Sequence, residues 1–233
     1  MAIRGILFDK DGTLVDFHAT WSAVAEALAY EAAGGNRARA AALLAAVGYD
    51  AAAGVFQADS VLAAGTNADV VAMWYPALEA QARQEMIAHF DRLTASRGAT
   101  AAVAVPGCAQ AIEALQAAGF RLGVATNDST GGAEQTLVSL GIAQMFDAAY
   151  GYDAVAAPKP APDTVYAFCD LTGLKPSEIA MVGDNRHDLD MARAAGAGLA
   201  IGVLSGTGTR QSLAGADVLL DSVAALPDCL ARR

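Results

Sequence analysis

The sequence GILFDKDGTLVD occupies residues 5–16. In it a short apolar run is followed directly by two carboxylates, Asp9 and Asp11, with one residue between them. The apolar run at residues 3–8 predicts a buried β-strand. Asp9 and Asp11 follow directly on its carboxyl end, which is the edge where open α/β sheets bind ligands. An Asp-x-Asp-Gly sequence also occurs in plain turns, because Asp accepts local backbone hydrogen bonds and Gly adopts positive φ. The preceding strand favours a functional site over a plain turn.

Further apolar runs of the same form appear only after residue 100, and they predict strands at 120–125, 179–182, 199–204 and 218–220. Helical stretches separate these runs and end before a glycine, at 109–118, 133–140, 162–172 and 188–195. A regular alternation of strand and helix is typical of parallel sheets. The sequence therefore predicts an α/β fold with a doubly wound parallel sheet.

The middle of the chain differs from both ends. Residues 17–97 carry few strand signals and long periods rich in Ala and Leu, with breaks at Gly34, Gly35, Gly48, Gly54, Gly65 and Pro76. We expect an all-α insertion at residues 16–101 that divides a core made of residues 1–15 and 102–233. A cleft between two such lobes is a common place for a small-molecule site.

Composition excludes several classes of function. The 233 residues include 15 basic and 25 acidic side chains, so the net charge of −10 argues against a nucleic-acid partner. No apolar run approaches the roughly 20 residues of a membrane span, and no signal-peptide core is evident. Cys108, Cys169 and Cys229 are far apart and are expected to be reduced. We expect a cytoplasmic protein, either a monomer or a homodimer.

The first motif has three companions further along the chain. Thr126 ends the strand predicted at 120–125, Lys159 stands between two prolines, and Asp184 follows a Val-Gly pair. Each is weak alone, since Thr is an ordinary strand residue and most lysines are solvated. Together and in this order they resemble the four motifs of the haloacid dehalogenase superfamily of phosphohydrolases.

Within that superfamily, the insertion after the first motif, the Pro106-Gly107 pair and the run at 183–196 look most like the phosphoglycolate phosphatase-like branch. Lys10 and Phe17 stand where Leu and Ser are common in that branch. This departure bears on the substrate rather than on the chemistry. The resemblance implies a small phosphorylated metabolite as partner, with phosphoglycolate as the leading substrate.

The resemblance implies catalytic roles for Asp9, Asp11, Thr126 and Lys159. Asp9 would attack phosphorus and form an aspartyl-phosphate, which divides one difficult step into two. Asp11 would protonate the leaving oxygen and then deprotonate the hydrolytic water. Lys159 and the Thr126 hydroxyl would neutralise and bind the phosphoryl oxygens.

The implied cofactor is Mg²⁺, which prefers hard oxygen ligands. The implied metal-site residues are Asp9, Asp11, Asp184 and Asp188. Asp11 would contribute its backbone carbonyl, and a role as a helix N-cap is the alternative for Asp188. The implied substrate-binding residues are Gly12, Thr13, His18 and Asn127.

Two residues close to the first motif allow more than one interpretation. Trp21 has Val24 and Leu28 at helical spacing, which favours a place in the apolar core over a place in a binding site. For His18 the core and the substrate site are left equally open.

Alternatives to a phosphatase remain at this stage. A phosphosugar mutase has a similar architecture but transfers the phosphoryl group back to sugar. A binding or signalling module would accept a phosphoryl group on Asp9 without turnover, although Asp11 supplies the acid and base of a full cycle. A haloacid dehalogenase is disfavoured, because halide displacement needs no proton donor.

Overall fold

The computed structural model describes residues 2–232 of the chain. Within them the strands are β1 (Gly5–Phe8), β2 (Tyr49–Asp50), β3 (Val55–Phe56), β4 (Arg121–Ala125), β5 (Ala148–Tyr150), β6 (Ile179–Gly183), β7 (Leu199–Val203) and β8 (Val218–Leu220). The α-helices are α1 (Phe17–Ala32), α2 (Arg37–Ala46), α3 (Val61–Ala64), α4 (Asn67–Trp74), α5 (Ala80–Ala101), α6 (Cys108–Ala117), α7 (Thr130–Ser139), α8 (Asp163–Thr172), α9 (Arg186–Ala195) and α10 (Leu226–Ala231).

Strand β1 lies inside a parallel sheet whose order, over the described residues, is β5-β4-β1-β6-β7-β8. It pairs with β4 on one side, where Gly5 is opposite Arg121, and with β6 on the other, where Gly5 is opposite Ile179. The chain fills one side of β1 first and then crosses to the other side, so the strand order reverses beside β1. A crevice at the carboxyl edge is expected at such a reversal.

The strands are almost continuously apolar because both faces of the sheet are buried. Ile6 and Phe8 contribute to one apolar layer, together with residues of α6, α7 and α10. Leu7 points to the opposite layer, which contains residues of α8 and α9. Helices therefore cover both faces, and the predicted doubly wound α/β fold is confirmed.

The insertion, residues 17–101, lies between β1 and α6 and contains α1 to α5. It has an apolar cluster of its own, to which Phe17, Trp21, Leu28, Trp74 and Phe90 contribute. Predicted breaks lie at the ends of these helices. Gly65 directly follows α3, and the Gly34-Gly35 pair begins two residues after the end of α1. Asp16 accepts a hydrogen bond from the Ala19 amide and caps α1.

The expectation of helices alone in the insertion is incomplete, because β2 and β3 form a small antiparallel hairpin. Each strand has only two residues, which is too short to produce an alternating pattern in the sequence. The sequence analysis also missed β5, the edge strand of the sheet. Of its three residues, Ala-Ala-Tyr, only the tyrosine favours a strand and none is β-branched, so the local composition gives too weak a strand signal.

The two chain crossings between core and insertion are hydrogen bonded to each other. The Asp16 amide donates to the Val103 carbonyl, and the Val105 amide donates to the Leu14 carbonyl. Val15 forms an antiparallel bridge with Ala104 at the same place. The insertion is thus joined to the core through a short two-stranded ribbon.

Two expectations from composition can be compared with the structure. Cys108, Cys169 and Cys229 are free thiols, the first two buried. Among residues 2–232, no helix combines the length and apolar character needed to span a bilayer.

The structure predicts a pH-dependent contribution from Asp147, which precedes β5. Its carboxylate accepts two hydrogen bonds from Arg121 at 2.9 and 2.7 Å and one from the Leu122 amide at 3.0 Å. The Arg121 guanidinium in particular lowers the pKa of Asp147. Because the folded-state pKa is lowered, this stabilisation is present above the unfolded-state pKa, about 4, and is lost as the pH falls through the folded-state value.

Asp147→Asn should therefore lower the free energy of unfolding by about 1 kcal/mol at pH 7, measured by urea denaturation. The deficit should shrink at pH 3. Glu113→Gln, which removes an exposed carboxylate from α6, is the control and should change stability little at either pH. An equal deficit at both pH values would contradict the assignment to the ionised carboxylate.

Candidate active site

Three neighbouring strands deliver polar side chains to one edge of the sheet. Asp9 follows β1, Thr126 follows β4 and Asp184 follows β6. The chain is held in register there, because the Asp9 amide donates to the Val182 carbonyl and the Thr126 amide donates to the Tyr150 carbonyl. The parallel arrangement brings residues from distant parts of the sequence together, and all three of these polar side chains are buried.

Asp9, Asp184 and Asp188 form a cluster in which one carboxylate oxygen of each residue lies within 4.8 Å of the other two. Oδ1 of Asp184 is buried and has no hydrogen-bond partner among residues 2–232. A buried carboxylate oxygen without a partner is costly, and a cation at this point would satisfy it. The cluster therefore fits a divalent cation that prefers oxygen ligands.

The other oxygen of Asp184 is fixed by the chain around it. Oδ2 accepts a hydrogen bond of 2.7 Å from the Thr207 amide. Gly12 and Gly206 pass so close to this carboxylate that a Cβ atom at either position would collide with it. Both glycines are required for the approach of their loops to Asp184, and Gly12 also adopts a φ of 87°.

Lys159 bridges two of the clustered carboxylates. Its Nζ lies 2.6 Å from Oδ1 of Asp9 and 2.7 Å from Oδ1 of Asp188. Oδ2 of Asp188 accepts from the Asn185 amide at 3.0 Å, so both oxygens of Asp188 are engaged. Burial lowers the pKa of Lys159, but Asp188 and Asp9 together raise it above its ordinary value. Lys159 is therefore a fixed positive charge beside Asp9.

One lysine does not neutralise this much buried negative charge. Burial raises the pKa of Asp9 to about 7 against the opposing effect of Lys159, and Asp188 and Asp11 add to the rise. Burial likewise raises the pKa of Asp184 well above its usual range, with a further contribution from Asp9. Full ionisation of the cluster requires additional positive charge, which a bound divalent cation would supply.

Asp11 is held by a second network that includes Lys10 and Trp21. Lys10 Nζ lies 2.6 Å from Oδ2 of Asp11 and 3.1 Å from Oδ2 of Asp128. The Trp21 indole N–H donates to Oδ1 of Asp11 at 2.6 Å, and Lys10 Nζ lies 5.2 Å from the centre of the Trp21 ring. Helix α1 of the insertion thereby contacts Asp11 directly.

A cavity opens above these groups, between the core and the insertion. Five of the predicted site residues line it: Asp9, Asp11, Thr126, Asn127 and Lys159. The side-chain amide of Asn127 donates to the backbone carbonyls of Ala64 and Lys159 at 2.7 and 3.1 Å. Thr126 Oγ1 accepts from the Asp128 amide, which leaves its hydroxyl proton available to a ligand. The far wall of the cavity is supplied by the insertion.

The remaining predicted residues lie outside the cavity lining. Asp184 and Asp188 are in the carboxylate cluster beneath it. Gly12 contacts Asp184, and Thr13 is fully buried with no hydrogen-bond partner for its hydroxyl among residues 2–232. His18 packs edge-on against Phe17, with ring centres 5.4 Å apart, and does not line the cavity.

Sequence reasoning missed several residues of the site. Asp128 and Asn185 follow β4 and β6 as the other site residues do, so strand ends could have indicated them. The sequence marks Lys10 as a departure from the family pattern but does not indicate its contacts with Asp11 and Asp128. Trp21 packs in one cluster with Val24 and Leu28, as its spacing predicts, but its bond to Asp11 is set by the tertiary packing of α1 and carries no local signal.

Comparisons with known proteins agree with this geometry. Residues 3–196 match the family model of the haloacid dehalogenase-like hydrolases. Phosphoglycolate phosphatase of Yersinia pseudotuberculosis is 33% identical over 203 residues, which cover 84% of this chain and 78% of that protein.

Two solved structures have the same fold. A predicted phosphoglycolate phosphatase of Haemophilus somnus has a TM-score of 0.72 at 23% identity, with 97% of each chain covered. CbbY of Rhodobacter sphaeroides, crystallised with phosphate, has a TM-score of 0.69 at 25% identity, with 96% of each chain covered.

The family match, the fold and the carboxylate cluster define a hydrolase whose buried carboxylates fit a divalent cation. The chain belongs to the haloacid dehalogenase-like hydrolases. Within that family it is a phosphatase similar to phosphoglycolate phosphatase.

The network around Lys10 predicts a large effect on stability. Lys10→Met would leave the partly buried carboxylates of Asp11 and Asp128 without the buried cation that they share. We expect the free energy of unfolding to fall by about 3 to 5 kcal/mol, measured by urea denaturation. Adding Asp128→Asn should recover part of the loss, because it removes one of the unpaired charges. A change below about 0.5 kcal/mol in Lys10→Met would show that the pair is not an effective ion pair in solution.

Proposed function

We propose that this chain is a Mg²⁺-dependent phosphatase that hydrolyses a small phosphomonoester through an aspartyl-phosphate on Asp9. The observation that carries the proposal is the position of Asp9, which lines the cavity while its carboxylate contacts Lys159 and belongs to the cluster with Asp184 and Asp188. A nucleophilic carboxylate, a fixed cation and a metal-binding cluster at one point are what phosphoryl transfer requires.

In the first step, an oxygen of Asp9 forms a bond to phosphorus as the bond to the leaving oxygen breaks. Lys159 attracts the phosphoryl oxygens and holds Asp9 in place, and the free proton of the Thr126 hydroxyl donates to one of those oxygens. These groups are preorganised by the sheet, so they need little rearrangement when negative charge develops.

Asp11 is the group that we assign to proton transfer. It lines the cavity two residues from Asp9, and Lys10 and Trp21 fix its orientation. Asp11 gives a proton to the leaving oxygen in the first step. In the second step it accepts a proton from the water that attacks phosphorus, and the bond between Asp9 and phosphorus breaks to release phosphate.

Mg²⁺ would be held by Asp9, Asp184 and the backbone carbonyl of Asp11, and when bound it supplies positive charge that lets Asp9 and an anionic substrate approach each other. Asp188 has both oxygens engaged, by Lys159 and by the Asn185 amide. We therefore assign to Asp188 the positioning of Lys159.

The insertion, whose proposed bounds are residues 16–101, would act as a cap that encloses the substrate. Its Ala64 carbonyl accepts from Asn127 and lies 3.2 Å from Nδ1 of His187, so it closes onto the core beside the site. Enclosure excludes water and strengthens the electrostatic interactions within the cavity. The free state of the three cysteines is what a reducing compartment maintains, and we propose the cytoplasm as the site of action.

The proposal is tested with para-nitrophenyl phosphate, with and without Mg²⁺. The wild-type protein should show multiple turnover only with the metal, and Asp9→Asn should show none. Asp11→Asn should lower kcat by about 10² to 10⁴. Asp190→Asn removes an exposed carboxylate from the same helix as Asp188 and should retain full activity as the matched control.

Other outcomes separate the proposal from its competitors. Stable labelling of Asp9 without turnover on any ester would indicate a phosphate-accepting module instead of an enzyme. Transfer of the phosphoryl group back to sugar in preference to water would indicate a mutase.

A further inference from the structure

The wall that the insertion presents to the cavity is mostly apolar. Its larger apolar side chains include Phe17, Trp21, Leu28, Leu62, Trp74 and Phe90. This wall faces the part of a phosphomonoester that lies beyond phosphorus, because the phosphoryl site is at Asp9 on the opposite, core side. The composition of the wall therefore bears on which leaving group the cavity accepts.

Two polar side chains on this wall are already bonded to each other and to the insertion. The side-chain amide of Asn67 donates to the Asp91 carboxylate at 2.8 Å and to the Thr94 hydroxyl at 2.9 Å. The Thr94 hydroxyl donates to the Phe90 carbonyl at 2.9 Å. Neither side chain has a donor left for a ligand.

The Thr66 side chain is engaged in the same way. Its hydroxyl donates to Oδ2 of Asp69 at 2.7 Å, and its backbone amide donates to the same oxygen at 2.8 Å. Thr66, the N-cap residue, and Asp69 form a capping box at the N-terminus of α4, which borders the cavity. A protein carboxylate already occupies the place where the helix end would attract an anion.

The two indole N–H groups are also committed. The Trp21 indole N–H donates to Asp11 at 2.6 Å, and the Trp74 indole N–H donates to the Leu43 carbonyl at 3.0 Å. The described side chains of the insertion thus offer aromatic and aliphatic surface to the cavity, with their polar hydrogens turned to partners within the protein.

Basic side chains reach the cavity only from the described residues of the core. His187 of α9 lines the cavity, and its Nδ1 lies 3.2 Å from the Ala64 carbonyl, a partner within the protein. Among residues 2–232, the one lysine or arginine that lines the cavity is Lys159, and it is paired with Asp9 and Asp188. Negative charge is plentiful, since Asp11 and Asp128 line the cavity and Asp91 stands behind Asn67. A carboxylate on the leaving group would lose its hydration here without gaining a cation.

We propose that the cavity selects phosphomonoesters whose leaving group is uncharged and largely apolar, and that it disfavours a leaving group with a carboxylate, such as that of phosphoglycolate. This inference rests on the proposed phosphatase activity and deepens it. It separates this chain in substrate class from the relatives named phosphoglycolate phosphatase.

A cationic leaving group is disfavoured as well, because the acidic groups near the wall have partners. Asp91 accepts from Asn67 and from the Tyr152 hydroxyl at 2.8 Å. Asp11 is paired with Lys10, and the ring of Trp21 already has Lys10 near it. A cationic leaving group would therefore find no unpaired carboxylate near the wall. The Trp21 ring could not attract it strongly either, because the Lys10 ammonium already lies beside that ring.

Pairs of esters with matched shape test the proposal. Isobutyl phosphate has the same heavy-atom outline as phosphoglycolate, and n-propyl phosphate has that of 2-aminoethyl phosphate. With Mg²⁺ present, kcat/KM should be at least about tenfold higher for the uncharged member of each pair. Along methyl, ethyl and n-propyl phosphate, kcat/KM should rise about fourfold per methylene, as burial of apolar surface predicts.

The outcomes distinguish two kinds of failure. If no ester is turned over, para-nitrophenyl phosphate included, the phosphatase function itself fails. If para-nitrophenyl phosphate is hydrolysed but phosphoglycolate or 2-aminoethyl phosphate exceeds its uncharged partner, the selectivity proposal is overturned and the phosphatase function stands. An absence of any rise with chain length would equally overturn it.

A charge added to the wall gives an independent test. Leu62 lines the cavity and is only partly buried, so Leu62→Arg can extend toward the site while its head group remains hydrated. The ratio of kcat/KM for phosphoglycolate to that for isobutyl phosphate should rise at least about tenfold in Leu62→Arg. Leu62→Gln, of similar length but uncharged, is the matched control and should leave the ratio near that of wild type. An equal rise in Leu62→Gln, or an unchanged ratio in a folded Leu62→Arg, would count against the proposal.

Discussion

The burial of like charges at the carboxyl edge of β1 is the constraint on which the other features of the site depend. Asp9, Asp184 and Asp188 lie within a few ångströms of one another, where water cannot screen them. Lys159 offsets part of this repulsion through contacts with Asp9 and Asp188. The remaining negative charge of the cluster fits a divalent cation, which would offset the repulsion among the three carboxylates.

Asp11 and Asp128 also bring two negative charges close together, and a different lysine compensates them. Here the compensating charge is Lys10, from the neighbouring position in the chain, and it is shared with Asp128. Lys10 lies between the two aspartates of the motif, beyond the end of β1. The turn that follows β1 places its Nζ against Asp11. Lys10 is itself fully buried, so the first motif contains a buried lysine paired with two carboxylates.

Much of the core could be predicted from the sequence, because the strands of a parallel sheet buried on both faces are unbroken apolar runs, such as Ile6 to Phe8. The motif residues could be placed at strand ends by the same reasoning. Element β5 could not, since three residues without branched side chains are positioned only by pairing with β4. The bond from Trp21 to Asp11 also could not be predicted, because it depends on how α1 packs over the core. The residues that line the cavity from the insertion could not be predicted either, because they come from separate helices that tertiary packing brings together.

The ribbon formed by Asp16, Val103 and Val105 restricts how the two parts of the molecule can move apart. Both crossings are tied together, so a rigid displacement of the insertion must pivot there instead of sliding across the sheet edge. Helix α1 leaves this ribbon directly and carries Trp21 one turn further on. An outward rotation about the ribbon would draw the Trp21 indole away from Asp11 and break the hydrogen bond between them. The orientation of the Asp11 carboxylate is thereby coupled to the position of the insertion.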